Sequence, residues 1–340
     1  MYGRYLKLPQ IGLRLRLVLQ LAAAGALLGF LLSQLDWQRS LALIRGAEPL
    51  LLAAVVLIQM ADRVLMALKW HQLLHVLDRR LGPWAAIRVY YESTFIGFAL
   101  PLGGLGPDVV RFVRLRDYAI DTHVTLASMI MERLNGVVAT LVLVVVGLAV
   151  LGSLAPQPAL RDFALLACAL AGVAGLLAAA LIFHPPLARG LFRLLKLPAP
   201  SKSGRFAKYV EAANAYSARL GTLAVNLGLS IIEQTAAVFT LWVASHALGA
   251  PLPWIVCLAV APVAVIIQRL PLTYGGLGLR EGSAAALLVA LGYDYSAALV
   301  LLMTQFVMFL IALLPGAIIM MTRRPLPPQQ PPTQPAGTGA

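Results

Sequence analysis

Charged side chains are scarce in this sequence, and hydrophobic ones are unusually abundant. Asp, Glu, Lys and Arg make up 12% of the 340 residues, whereas hydrophobic residues make up 60%. An ordinary globular chain carries roughly 25% charged residues, so this composition excludes a typical soluble domain. Several apolar runs are long enough to cross a bilayer, which predicts an all-α polytopic membrane protein.

The sequence also lacks the motifs of an ATPase, a zinc protease or a serine hydrolase. It contains no phosphate-binding loop ending in Gly-Lys-Ser/Thr, no His-Glu-x-x-His, no Gly-x-Ser-x-Gly and no paired Asp motif in an outer loop. The five histidines are scattered, and the two cysteines, Cys168 and Cys257, lie in apolar runs. We therefore expect no metal site, no cofactor and no enzymatic activity.

Six apolar runs have the length of full transmembrane spans, which is about 20 residues. They cover about residues 15–35, 49–70, 125–151, 163–183, 220–248 and 297–321. The basic N-terminal segment leads straight into the first run, so we expect no cleaved signal peptide. The tail, residues 323–340, is rich in Pro, Gln and Gly and is predicted to be disordered.

A Pro/Gly motif interrupts two further apolar regions. Residues 100–106 read Leu-Pro-Leu-Gly-Gly-Leu-Gly, and residues 270–278 read Leu-Pro-Leu-Thr-Tyr-Gly-Gly-Leu-Gly. Pro removes a backbone donor and Gly disfavours a helix by about 1 kcal/mol relative to Ala, so neither copy continues a helix. Two such breaks in corresponding halves of a membrane chain point to the binding site of a transporter. The alternative is a pair of kinked helices that only pack.

The placement of basic residues favours a re-entrant hairpin at each break. If residues 84–120 and 254–292 each enter and leave on one side, both termini and the loop 185–219 face the cytoplasm. These segments, with 69–88 and 111–116, then hold 20 of the 27 Lys and Arg residues, in agreement with the positive-inside rule. The alternative makes each hairpin arm a separate full span. Because topology accounts for the net charge of +13, we expect no nucleic-acid partner.

The predicted fold has six full transmembrane helices and two oppositely oriented re-entrant helical hairpins in an inverted repeat. Residues 1–152 form the first half, with two spans, the hairpin 84–120 and a further span. Residues 153–322 repeat this order, with the basic loop 185–219 after the first span and the hairpin 254–292 before the last. We expect a cell (inner) membrane location with both termini cytoplasmic, and the oligomeric state is not predicted.

Ionisable residues inside spans are costly in a membrane, and they usually face a cavity or a partner. Two polar stripes follow helical spacing, one through Ser128, Glu132 and Asn135, the other through Asn226 and Glu233. The candidate cavity-lining residues are Asp62, Arg63, Glu92, Asn135 and Glu233. The alternative is that these charges pair with one another and are structural.

The return arm of the first hairpin begins Gly106-Pro107-Asp108, and Pro suits the first position of a helix. The free amide groups of such a helix start, together with the planar donors of Arg111, suit a phosphate. The second hairpin has Arg269 before its turn and Arg280-Glu281 after it. Structural ion pairs of Arg111 with Asp108 and of Arg133 with Glu132 are the alternative to ligand binding.

These motifs, with Met-Glu-Arg-Leu at 131–134, resemble the lysylphosphatidylglycerol synthase transmembrane family over about residues 10–322. That family comprises flippase-like domains found alone or ahead of an aminoacyl-phospholipid synthase domain. Its Pro-Gly-Gly-Asp-Arg pattern, Glu-Arg pair and second Pro-Gly-Gly-Glu pattern all have counterparts here. They fall on Pro101, Gly103, Gly104, Asp108, Arg111, Glu132, Arg133, Pro271, Gly275, Gly276 and Glu281. Pro107 stands where the family more commonly has Gly, and with no synthase domain in this sequence we expect a stand-alone member.

The resemblance implies movement of a lipid between leaflets. We predict a flippase that takes an anionic or phosphate-bearing lipid head into a midplane cavity between the hairpins. The alternatives are a membrane glycosyl- or lipid-transferase, and an accessory subunit without transport activity that serves a lipid-modifying synthase or glycosyltransferase. The candidate substrate-binding residues are Pro101, Gly103, Gly104, Asp108, Arg111, Glu132, Arg133, Arg269, Pro271, Gly275, Gly276, Arg280 and Glu281.

Single cysteines test the topology in a background that lacks Cys168 and Cys257. We expect positions 116 and 203 to be labelled by an impermeant thiol reagent only after the membrane is opened, because they face the cytoplasm. Positions 156 and 293 should be labelled in intact cells. Labelling of position 116 in intact cells would rule out the first re-entrant hairpin.

Overall fold

The regular structure in the described residues is helical. A computed structural model describes residues 10–78, 80–100, 105–183, 215–216, 219–268 and 272–322. The helices in these ranges are α1 Gln10–Ser33, α2 Trp37–Arg45, α3 Pro49–Leu77, α4 Pro83–Phe98, α5 Gly106–Leu115, α6 Thr122–Leu154, α7 Pro158–Phe183, α8 Leu220–Ala247, α9 Trp254–Gln268, α10 Leu279–Ala290, α11 Tyr295–Ala312 and α12 Leu314–Thr322. Short 3₁₀ turns cover Arg116–Tyr118 and Tyr274–Gly276.

Five of the six predicted spans fall on helices long and apolar enough to cross a bilayer. These are α3, α6, most of α7, α8, and α11 taken together with α12. The first predicted span falls on α1, which meets this requirement only together with α2, and the two helices are bent by 93° at the break between them. The all-helical, multi-pass membrane class is therefore confirmed, while the exact number of six spans stays a prediction.

The second span is longer than predicted. The apolar run predicts an end at about residue 70, with Lys69 among the cytoplasmic loop residues. In the structure α3 continues to Leu77, and Lys69 is buried within it, with 2% of its surface exposed. The apolar residues Leu73 and Leu74, both fully buried, extend the packed face past the charge. Lys69 is thus one more basic residue inside a span.

Both Pro/Gly breaks lie between two short, antiparallel helices. In the first pair, Gly97 of α4 meets Gly106 of α5 at one end, while Leu115 packs in one cluster with Ala86 and Tyr90 at the other. The arms α4, α5, α9 and α10 have 16, 10, 15 and 12 residues. At 1.5 Å per residue these arms are about 15–24 Å long, short of a bilayer core of about 30 Å. Their length favours hairpins over full spans; whether the arms turn back within the bilayer stays a prediction.

The tips of the two hairpins touch each other. The Tyr274 hydroxyl donates a hydrogen bond to the Phe98 carbonyl oxygen at 2.6 Å, and the two rings meet edge to face. Gly275 and Gly276, which form this turn, have φ values of 61° and 78°, in the left-handed region that favours glycine. The two breaks therefore lie next to each other, as a single site between the hairpins requires. In this structure their tips are in direct contact.

Each hairpin is flanked by a helix from the opposite predicted half. The last helix, α12, crosses the first hairpin at Gly316, where an added Cβ would lie 2.5 Å from the Tyr91 carbonyl oxygen. The first helix, α1, packs Leu27 against Gly278 and Leu31 against Gly282 of the second hairpin. The largest apolar cluster joins α8, α9, α10 and α11, and α3 contributes Val55 to it. The two halves are thus interlocked at both ends.

The close approach of α4 and α5 predicts that Gly106→Ala destabilises the protein. The new methyl group would overlap the Gly97 carbonyl oxygen, so the helices would have to move apart. We expect a lower midpoint of thermal unfolding in detergent. Gly136→Ala on α6 is the matched control, because no atom lies within 4 Å of its Cβ position and Ala favours the helix. An unchanged midpoint in Gly106→Ala would contradict this packing.

Candidate functional site

Arg111 lies at the centre of a buried group of charges between α5 and α6. It is in the second turn of α5 and only 3% exposed. Its Nη2 atom donates to Asp108 Oδ1 at 2.8 Å, and its Nη1 atom lies 2.8 Å from Glu132 Oε2 on α6. Its guanidinium also lies 4.7 Å from the Trp70 ring centroid and 5.0 Å from that of Tyr90. Burial of this cation is thus offset by two carboxylates and two aromatic faces.

The aromatic walls of this site are themselves held by hydrogen bonds. The Tyr90 hydroxyl donates to Glu132 Oε1 at 3.2 Å, so one side chain both covers Arg111 and orients its partner. The indole Nε1 of Trp70 donates to Ser128 Oγ at 3.3 Å. Trp70 comes from α3, Tyr90 from α4 and Ser128 from α6, so three helices fix the site. Sequence reasoning missed both aromatic residues, since they lie near the ends of their helices' apolar runs.

Arg133 connects this buried site to the outer surface of the helices. It forms an ion pair with Asp108, and its side chain is 46% exposed. The predicted structural alternative is an ion pair of Arg133 with Glu132. Instead Asp108 bridges Arg111 and Arg133, and Glu132 turns inward to Arg111. Adjacent residues on a helix point in different directions, which explains the exchange. We call Asp108, Arg111, Glu132 and Arg133 the first arginine site.

Several polar atoms of the first arginine site have unused hydrogen-bonding capacity. Among the described residues, Arg111 Nε, Arg111 Nη1 and Glu132 Oε2 are buried without a hydrogen-bond partner. The Nη1–Oε2 contact is close, but it lacks the alignment of a hydrogen bond. Unpartnered buried donors are costly, about 1–3 kcal/mol each, and usually have a reason. The Nε donor of Arg111 is therefore available to a ligand oxygen, whereas Nη1 already faces Glu132.

A second buried ion pair joins α3 to α8. Lys69 Nζ lies 2.7 Å from Glu233 Oε2, and both side chains are almost fully buried. Beside it, Asn226 donates to the Lys69 carbonyl oxygen at 2.8 Å and accepts from Asn135 Nδ2 at 3.0 Å. The two polar stripes predicted on α6 and α8 therefore face each other. Sequence reasoning missed Lys69; the apolar residues that follow it were the signal that the span continues.

The remaining candidates lie in three places. Glu92 of α4 pairs with Arg114 of α5 and so links the two arms of the first hairpin. Asp62 pairs with Arg63, its neighbour in α3, and Arg280 pairs with its neighbour Glu281. Glu281 also caps its own helix, because its Oε2 atom accepts from the Gly278 amide at 2.8 Å. Pro101, Gly103, Gly104, Arg269 and Pro271 lie outside the described residues, as do the tail 323–340 and most of the loop 185–219.

Comparison with known protein families decides the affiliation of the chain. The family described as lysylphosphatidylglycerol synthase TM region matches residues 17–316. The chain belongs to this family. The match includes every described helix apart from the N-terminal turns of α1 and the last turns of α12, and therefore both hairpins and the first arginine site. No curated protein matches the chain.

We predict that the buried Lys69–Glu233 ion pair stabilises the fold of this family member. Lys69→Met leaves Glu233 buried without its cation, which typically costs about 3–5 kcal/mol. We expect a clearly lower unfolding midpoint in detergent for Lys69→Met, and a midpoint near that of the unaltered protein for Lys69→Met/Glu233→Met. Arg39→Met is the matched control, since it breaks an exposed pair with Asp294, and such pairs contribute about 0–1 kcal/mol. Equal loss in the single and double variants would mean that the pair is not the cause.

Proposed function

We propose that the protein moves an anionic, phosphate-bearing lipid between the leaflets of the cell membrane. The first arginine site binds the lipid phosphate, and no covalent chemistry, metal or cofactor takes part. Membership of a membrane family named for a lipid synthase region supports a lipid-related role. Both termini and the basic segments face the cytoplasm in this proposal. The sequence carries no ATP-binding motif, and in this proposal transport runs on the lipid gradient, on an ion gradient or on neither.

The observation that carries the proposal is the bridging position of Asp108. Its carboxylate contacts a buried arginine on one side and a half-exposed arginine on the other. A phosphate that bound both guanidinium groups would take the same position, because carboxylate and phosphate oxygens fit the same planar fork of donors. Asp108 therefore holds the two cations together until a lipid phosphate replaces it. The unused Nε donor of Arg111 supplies a further hydrogen bond to that phosphate.

The surface beside Arg133 suits the tails of the lipid. On α5, Val109 and Val113 are exposed, and on α6 so are Ile130, Leu134 and Val137. A membrane protein turns such apolar side chains toward acyl chains, whereas an arginine among them is expensive unless a headgroup or water reaches it. The lipid head thus passes inward between α5 and α6 while its tails remain in the bilayer. To go further it must separate the contact between Tyr274 and Phe98.

Leaflet exchange in reconstituted vesicles tests this function. Vesicles carry fluorescent phosphatidylglycerol, and a membrane-impermeant reductant reports the fraction in the outer leaflet. We expect the unaltered protein to speed exchange, and Arg111→Lys and Arg133→Lys to slow it by about tenfold or more, because Lys keeps the charge but loses the fork. Arg39→Lys, which alters an exposed arginine outside the site, should leave the rate unchanged.

A neutralised variant separates ligand binding from structural ion pairing. In Asp108→Asn/Arg111→Gln/Glu132→Gln/Arg133→Gln all four members of the first arginine site become neutral, which a purely structural group of ion pairs tolerates well because no charge is left without its partner. A stable, fully active quadruple variant would defeat the role of Arg111 and Arg133. Formation of a new lipid product in the vesicles would favour a membrane transferase. Neither exchange nor product would favour an accessory role beside a lipid-modifying synthase or glycosyltransferase.

A further inference from the structure

Arg63 and Arg280, which come from opposite halves of the chain, converge on one group of aromatic rings. The Arg63 guanidinium lies 5.9 Å from the Phe309 ring centroid, and that of Arg280 lies 5.8 Å from Phe306. Phe306 and Phe309 are three residues apart on α11, so they share a face of that helix. Both rings contact the Phe98 ring at the tip of the first hairpin, with distances between ring centroids of 6.3 Å for Phe306 and 5.9 Å for Phe309. Two guanidinium groups therefore border the point where the hairpin tips meet.

The carboxylate partners of these two arginines do not hold helices together. Asp62 pairs with Arg63 and Glu281 pairs with Arg280, in each case a direct neighbour along the chain. The ion pairs of Arg111, Lys69 and Arg114, by contrast, each link two different helices. A pair between neighbours adds nothing to helix association, and Glu281 has a separate task as a helix cap. Ion pairing between the described helices therefore does not explain why arginine is placed at positions 63 and 280; their contacts between helices are those with the rings of α11.

The surroundings of these arginines contain an excess of unsatisfied polar atoms. Within the described residues, four buried side-chain atoms in this region have no hydrogen-bond partner: Gln59 Oε1, Asp62 Oδ1, Arg63 Nε and Thr273 Oγ1. Arg280 Nη2 has its ion pair with Glu281 but no aligned hydrogen bond. Gln59 lies one turn before Arg63, and its Nε2 atom bonds the backbone of α11 beside Phe306. Buried polar atoms are normally satisfied, and a group of exceptions marks a place for a polar ligand.

This region is displaced along the helices from the first arginine site. Arg63 is at the centre of the 29-residue helix α3, and Trp70, which covers Arg111, follows seven residues later. At 1.5 Å per residue that spacing is about 10 Å along the helix. The neighbouring helix α4 has Tyr90 at the first arginine site and Phe98 at the hairpin tips, eight residues or about 12 Å apart. Along both α3 and α4, the arginines near the hairpin tips and the first arginine site are thus separated by a similar distance.

We propose that Arg63 and Arg280 form a second binding site for the phosphate of the lipid headgroup, near the middle of the bilayer. The inference rests on the proposed function, since its ligand is the same headgroup at a later stage of its passage. The phosphate displaces Asp62 and Glu281 from the two guanidinium groups and satisfies Arg63 Nε and Arg280 Nη2. The phenylalanine rings hold the guanidinium planes in place and exclude water. The headgroup is handed from the first arginine site to this one.

Native mass spectrometry of the full-length protein tests this second site. The protein in detergent is titrated with phosphatidylglycerol, and the retained lipids are counted. We expect two lipids on the unaltered protein, one on Arg63→Gln/Arg280→Gln and one on Arg111→Gln/Arg133→Gln. The control Arg39→Gln/Arg45→Gln removes two exposed arginines of α2 and should keep both lipids. Diacylglycerol, which has no phosphate, should bind equally to all four proteins. Two lipids on Arg63→Gln/Arg280→Gln, with unchanged affinity, would overturn the second site.

A charge-preserving variant guards against misfolding. Arg63→Lys/Arg280→Lys keeps both positive charges beside Asp62 and Glu281 and should match the unaltered protein in its unfolding midpoint. We expect it to bind the second lipid about tenfold more weakly and to slow leaflet exchange; unchanged affinity would overturn the proposal. Two bound lipids without any exchange by the unaltered protein would refute transport but leave the second site standing. If the unaltered protein exchanges lipid, and Arg63→Gln/Arg280→Gln and Arg63→Lys/Arg280→Lys both retain two lipids, the second site alone is refuted.

Discussion

The cost of placing charge in an apolar interior governs the arrangement of this protein. A membrane-spanning helix can carry an arginine or a glutamate only where a partner or a polar ligand compensates it. Three buried pairs meet this condition by joining different helices: Arg111 with Glu132, Arg114 with Glu92 and Lys69 with Glu233. They join inward-facing residues of α3, α4, α5, α6 and α8, and the apolar clusters pack around them.

The two hairpins differ in how they are fixed, and the difference bears on which of them responds to a ligand. The second hairpin sits in the largest apolar cluster, where Val260 and Ala261 of α9 and Leu288 of α10 are buried. The short arm α5 of the first hairpin instead meets α6 through Asp108, Arg111 and the two charged residues of α6. An anion does not weaken apolar contacts, but it competes directly with a carboxylate for an arginine. If the proposed function is correct, the contact of the first hairpin with α6 is the one that a bound phosphate would loosen.

The sequence was sufficient for the class of protein and for much of the first arginine site. Hydropathy located five spans, Pro and Gly located the two breaks, and helical spacing placed Glu132, Asn135, Asn226 and Glu233 on buried faces. Of the two structural ion pairs that the sequence offered as the alternative to ligand binding, Arg111 with Asp108 is present and Arg133 with Glu132 is not. Glu132 and Arg133 are neighbours in the chain, but direction around a helix decides contacts and adjacency does not. Lys69 was assigned to a loop because a lone lysine looks like a span end until its partner on another helix is known. Trp70 and Tyr90 carry no polar signal that distinguishes them from core residues.

The first and last helices each pack on the hairpin from the other half of the chain, so each half depends on the other for burial of its hairpin. Gly316 of α12 lies against the first hairpin, and Leu27 and Leu31 of α1 lie against the second. A fragment that ended after α6 would leave the backbone around Tyr91 without its cover, and the complementary fragment would lack the helix that packs on Gly278 and Gly282. Neither fragment is a self-sufficient module. The thermodynamic unit is the entire bundle, so two separately produced fragments form a stable protein only by associating with each other.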